Sequence, residues 1–148
     1  MEAIKKILVP VDFSENSKTV IDGALLFAKT FDAELNIVFV VQSFQDYSGF
    51  FVPHMPITQF EDEMRQSADK KMTDFLAETL PAGVRHTAKV LLGDVAEEIV
   101  AYGNEVGVDL IVMGTHGYKG LERVLFGSVA EKVVKGARQP VLTIPPAA

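Results

Sequence analysis

The stretch DLIVMGTHGYKGLERVLFGSVAEKVVKGA, residues 109–137, decides how the chain is read. It opens on an unbroken apolar run, Leu110 to Met113, and passes three glycines, Gly114, Gly117 and Gly120. A fourth glycine, Gly127, stands directly before Ser128 and an amphipathic segment. A short apolar run bounded by glycine reads as a strand, and the segment after Ser128 as a helix. Strand, glycine loop and helix make one step of an α/β winding, and QPVLTIPP at 139–146 supplies the next strand.

The same alternation runs upstream. IKKILVPVD (4–12), ELNIVFVV (34–41) and TAKVLL (87–92) read as strands. Between them, Val20, Ile21, Ala24, Leu25 and Ala28 fall on one helical stripe, as do Phe60, Met64, Ala68, Met72, Phe75, Leu76 and Leu80. AEEIVAYGNE (96–105) is a short third helix. Ser14 reads as a helix cap, and Thr58-x-x-Glu61, Asp94-x-x-Glu97 and Ser128-x-x-Glu131 read as capping boxes. The strands are continuous apolar runs and not in–out alternations, so they are expected to be covered on both faces. The expectation is a doubly wound, open, parallel five-stranded sheet of order 3-2-1-4-5 with helices on both faces, one domain over residues 1–148.

Composition narrows the function classes. The chain has 148 residues, 48% of them hydrophobic and 23% charged, which suits a globular core and excludes low complexity. It contains no cysteine, so disulfides, thiolate metal sites and cysteine nucleophiles are excluded. No apolar run approaches the roughly 20 residues of a membrane span, and MEAIKKILVPVD lacks the layout of a signal peptide. Cytoplasm is the expected compartment. The net charge of −6 argues against a general nucleic-acid or anionic-membrane binder. Residues 114–139 nevertheless hold five Lys and Arg against two Glu, a basic island of +3 that leaves −9 on the rest. That island suits either a ligand or an ordinary solvated helix face.

In an open doubly wound sheet a ligand binds beyond the carboxyl ends of the strands where the winding reverses. The first strand ends in Val9-Pro10-Val11-Asp12 and the fourth in Met113-Gly114, so a carboxylate and a glycine loop should meet there. Asp12 also stands ready to start the first helix. Glycines at 114, 117 and 120 keep the loop open to close backbone approach, and the amides of Ser128, Val129 and Ala130 lie at the positive end of a helix. These are two patches of backbone N–H suited to a chain of phosphates, although glycines in α/β loops are often only turns. Neither G-x-x-x-x-G-K-[ST] nor G-x-G-x-x-G occurs. The aromatic connection at 42–57 is either a flap over a ligand or an ordered loop packed on itself.

With Gly114-x-x-Gly117, nine residues, then Gly127-Ser128, the chain resembles the universal stress protein family in its ATP-binding branch, whose signature is G-2x-G-9x-G-[S/T]. The resemblance covers essentially the whole length, through ILVPVDFSENS, LLGDVAEEIV, DLIVMGTHGYKG and QPVLTIP. It implies that Pro10, Val11, Asp12 and Val40 hold adenine and ribose. Met113, Gly114 and Gly117 would line the ribose and phosphate path. Gly127, Ser128 and Val129 would bind the phosphates, with magnesium or manganese accompanying them. His116 in the loop is read as positional. Val95 stands where many relatives have proline, and is expected to lie away from the nucleotide. Relatives commonly dimerise through the last strand, here Val141 to Ile144.

The implied function is a nucleotide-dependent regulatory or stress-response protein that binds ATP without fast turnover. The alternative is slow ATP hydrolysis or phosphoryl transfer at the same site, for which no well-placed general base is evident. A phosphorylated receiver wants an acidic pair after the first strand and a lysine after the last. Asp12 stands alone there, and Thr143-Ile144-Pro145 holds the other end.

Overall fold

The computed structural model describes residues 3–43, 57–115 and 127–147. The order is β1 (Lys6–Pro10), α1 (Glu15–Phe31), β2 (Glu34–Gln42), α2 (Ile57–Thr79), β3 (His86–Gly93), α3 (Val95–Val106), β4 (Leu110–Gly114), α4 (Ser128–Gly136) and β5 (Val141–Ile144). The five strands form one parallel sheet of order β3-β2-β1-β4-β5, as the sequence leads one to expect.

Each central strand feeds two cores. Ile7 and Val9 of β1, Leu35 and Ile37 of β2, and Leu110 and Val112 of β4 pack with Val20, Ile21 and Ala24 of α1 and Met72 and Phe75 of α2. Their neighbours Leu8, Val38, Val40, Ile111 and Met113 pack with Ala96 and Ile99 of α3 and Ala130 and Val133 of α4. This is why the strands read as unbroken apolar runs, since both faces of the pleat are removed from water. Ile7, Leu8, Ile37 and Ile111 are all fully buried, and truncating any one to alanine would cost about 2–5 kcal/mol. The edge strand β3 departs from that pattern, with His86 to Lys89 exposed. Met64, placed on the buried stripe of α2 by periodicity, is 37% exposed, while Ala68, Met72 and Phe75 on the same helix are buried.

The helix starts correct two expectations. Ser14 caps α1 and Asp94 caps α3, the latter accepting from the Glu97 amide at 3.1 Å. Thr58 caps nothing, because α2 already includes Ile57. Ser128 is the first residue of α4 and not its cap; Gly127 holds the cap position in extended backbone, with no side-chain cap bond. Glu131 therefore closes no capping box and pairs with Lys135 at 2.9 Å, one helical turn on.

The sheet opens between its middle strands. β1 follows β2 in register as far as Pro10↔Val38, and β4 follows β5 as far as Gly114↔Ile144. β1 and β4 pair only at Ile7↔Leu110 and Leu8↔Ile111. Proline supplies the reason. Lys6 accepts from Asp109 on the β4 side while Val11 donates to Val38 on the β2 side, so by the two-residue alternation Pro10 turns toward β4. Having no N–H, it cannot continue the ladder. The strands part where the chain stops supplying donors, and the reversal of winding becomes a gap.

Candidate functional site

Above that gap lies a cleft of about 270 Å³, lined from four directions. β1 and the turn after it contribute Pro10, Val11 and Asp12; β2 contributes Val38, Phe39 and Val40; β4 contributes Met113 and Gly114; and α4 contributes Ser128, Val129 and Ala130, preceded by Gly127. Nine of the ten residues singled out from sequence line this one cleft: Pro10, Val11, Asp12, Val40, Met113, Gly114, Gly127, Ser128 and Val129. The tenth, Gly117, lies outside the described residues, as do His116 and most of the aromatic connection.

Asp12 is held by its own loop. One carboxylate oxygen, Oδ1, accepts from the Ser14 amide at 3.0 Å, from the Ser14 hydroxyl, and from the Ser17 hydroxyl at 2.7 Å. The Asp12 amide donates to Ser17 Oγ at 2.8 Å. Ser14 Oγ in turn accepts from the Ser17 amide and starts α1. Between the carboxylate and the cap stands Phe13 in the left-handed region, φ 66°, unusual for a bulky side chain. Its ring packs on Phe39 with centroids 4.6 Å apart and on Phe75 at 5.6 Å, which holds the strained turn in place.

The opposite wall is a helix N-terminus. Gly127 donates its amide to the carbonyl of Thr115, and its own carbonyl accepts from Glu131 at 3.0 Å as the first bond of α4. The amides of Ser128, Val129 and Ala130 precede that bond and have no partner within the helix. They line the cleft at the positive end of the helix axis, an arrangement suited to an anion. Since Ser128 is not engaged in capping, its hydroxyl is available as a further donor on the same wall.

Several lining residues were not read from the sequence. Asn16 and Ser17 come from the first turn of α1, Thr115 follows Gly114, and Val38 and Ile99 are core residues that reach the cleft. Val95 corrects an expectation outright, because it lines the cleft. As the first residue of α3 it stands where a helix begins at the carboxyl end of a parallel strand, the same edge on which the cleft opens. Among the described residues no group of three His, Asp or Glu could hold a metal ion, and no helix is long and apolar enough to cross a membrane.

The family signature of the universal stress protein family matches residues 3–145. The chain belongs to that family. Universal stress protein MJ0531 of Methanocaldococcus jannaschii is 40% identical over 147 residues, spanning 95% of this chain and 81% of its own. The solved structure of MJ0577, from the same organism, superimposes with a TM-score of 0.82 at 28% identity, covering 98% of each chain. A universal stress protein of Archaeoglobus fulgidus, solved in complex with dAMP, shares the fold at a TM-score of 0.69 and 22% identity, covering 95% of this chain and 97% of its own. The universal stress protein fold thus accounts for the parallel sheet and its strand order.

Proposed function

We propose that this universal stress protein binds ATP in the cleft between β1 and β4, and that occupancy of the cleft, not rapid turnover, is its output. The observation that carries the reading is the opposition of two walls. The Asp12 carboxylate stands on one side and the unbonded amides of Ser128, Val129 and Ala130 on the other. The amides suit phosphates; the carboxylate suits hydrogen-bond donors, which a phosphate lacks. Val38, Phe39, Val40 and Ile99 offer apolar walls for a base. The dAMP complex of the Archaeoglobus relative supports a nucleotide in this fold.

The donor set also fits the accompanying ion. Magnesium is commonly held by substrate phosphates with one or two carboxylates and water, so magnesium or manganese would enter with the phosphates and not through a protein cage. When bound, the ion would neutralise phosphate charge; the chain's own part is to hold the phosphates on the α4 amides and the sugar near Asp12. Hydrolysis would further require an oriented water. Asp12 has one oxygen saturated by three donors, which favours a positioning role over a base. We further read the chain as one cytoplasmic nucleotide-binding domain over residues 1–148, dimeric through β5.

Calorimetric titration of the purified chain with ATP, and with AMP, each with and without magnesium, tests the reading. Saturable ATP binding that tightens with magnesium is expected. No binding of either nucleotide would sink it, and fast metal-dependent turnover abolished in Asp12→Ala would replace it with the enzymatic alternative.

A further inference from the structure

We propose that Ser17 is a positioning residue: by saturating one oxygen of Asp12 it turns the carboxylate into a single-acceptor reader of a hydroxyl on the nucleotide's sugar. The inference rests on the nucleotide reading of the cleft.

Ser17 is 4% exposed and grips Asp12 at two points. Its hydroxyl donates to Oδ1 at 2.7 Å and accepts from the Asp12 amide at 2.8 Å. That closes a small ring through the backbone and side chain of Asp12 and fixes the rotamer. With the Ser14 amide and hydroxyl on the same atom, Oδ1 takes three donors, more than its two lone pairs accommodate well. Among the described residues Oδ2 takes none. An acceptor left over beside the cleft binds a cation or a hydrogen-bond donor, and of the nucleotide itself it can bind only a donor. On a nucleotide the donors are the sugar hydroxyls and the amino group of the base, whereas the phosphates are acceptors of like charge. The lining of β2 and α3, where a base would lie, is apolar: Val38, Val40 and Ile99. The sugar, bridging base and phosphates, is therefore the part that meets Asp12.

A purely structural Ser17 would only start α1. The two roles separate in ligand preference. Titrations compare ATP with 2′,3′-dideoxy-ATP, which keeps base and phosphates and lacks both sugar hydroxyls. Wild type is expected to prefer ATP by about tenfold, the worth of one hydrogen bond to a charged group. Ser17→Ala should lose most of that preference by weakening ATP while binding the dideoxy compound as wild type does, and Ser17→Thr, which keeps the hydroxyl, should restore it. Equal affinities in wild type, a preference retained in Ser17→Ala, or a parallel loss of both ligands would each overturn the proposal. Failure of wild type to bind either compound would instead sink the nucleotide reading, and this inference with it. Should Ser17→Ala not melt cooperatively, Asp12→Asn keeps one oxygen for the three donors and puts an amide in place of the free acceptor. It should narrow the preference, and an unchanged preference there overturns the proposal.

Discussion

The amide of Gly127 donates to the carbonyl of Thr115 at 2.5 Å, so the residue that follows β4 and the cap of α4 meet at the cleft. Thr115 is itself tied to β5 through the carbonyl of Ile144 at 3.1 Å. The α4 wall of the cleft is thereby braced on the sheet. Gly127 has φ −68° and ψ 160°, a backbone conformation open to every L residue. Its glycine is therefore not demanded by torsion, and what matters is the absent side chain in the cleft. Gly127→Val is expected to change stability by about 1 kcal/mol or less, the scale of a cap substitution, while ATP affinity falls more than about tenfold. Urea unfolding alongside calorimetry checks both. Unchanged affinity would remove Gly127 from the site, and gross unfolding would show that the glycine is structural after all.

Phe13 carries strain that the sequence gives no sign of. An ordinary substitution series makes glycine worse than alanine, because glycine loses more backbone entropy. At φ 66° the order should reverse. Both variants lose the contacts with Phe39 and Phe75, but alanine keeps the left-handed penalty of about 1–2 kcal/mol and glycine sheds it. Phe13→Gly is therefore expected to be more stable than Phe13→Ala by about 1 kcal/mol in guanidinium unfolding. The usual order, alanine above glycine, would show that the turn relaxes once the ring is gone.

What the sequence discloses depends on whether the information is periodic or three-dimensional. Sheet order and the convergence of Asp12 with Gly114 and Gly127 follow from winding rules applied to apolar runs, and these were legible. Val95, expected away from the nucleotide, lines the cleft because it begins α3 on the edge where the cleft opens. Ser-x-x-Glu suits a cap at Ser128, but the extended backbone of Gly127, invisible in a residue string, shifts the helix start by one residue. Ser17 and Phe13 could not be found by spacing at all. Their roles depend on which atoms meet across a turn.

Asn36 is the buried polar residue of β2, whose other polar residues, Glu34 and Gln42, stand at its ends. It is 2% exposed; its Oδ1 accepts from the Thr87 hydroxyl at 3.0 Å, and its Nδ2 has no partner among the described residues. A buried donor without an acceptor costs about 1–3 kcal/mol. Asn36→Val removes that donor and suits a β-strand, while the exposed Thr87 hydroxyl returns to water. The substitution is expected to raise stability by about 1 kcal/mol in urea unfolding. A loss of stability would mean that an acceptor, such as a buried water, serves Nδ2 in solution.

The last strand tests the assembly. β5 pairs with β4 on one side, and the carbonyls of Pro140 and Ile144 accept from Ile111 and Thr115 on that side. By the two-residue alternation, Val141 and Thr143 turn their backbone groups toward the open edge. If two copies join β5 to β5, the Thr143 amide is among the donors that cross the interface. Proline is tolerated on an edge strand when its missing N–H faces outward, so Thr143→Pro should leave the monomer folded and the β4–β5 ladder intact. Light scattering coupled to size exclusion should find wild type as a dimer and Thr143→Pro as a monomer, with circular dichroism unchanged. A variant that stays dimeric would place the interface elsewhere. Exposed Leu26 and Phe31 on α1 would then be the next apolar surface to mutate.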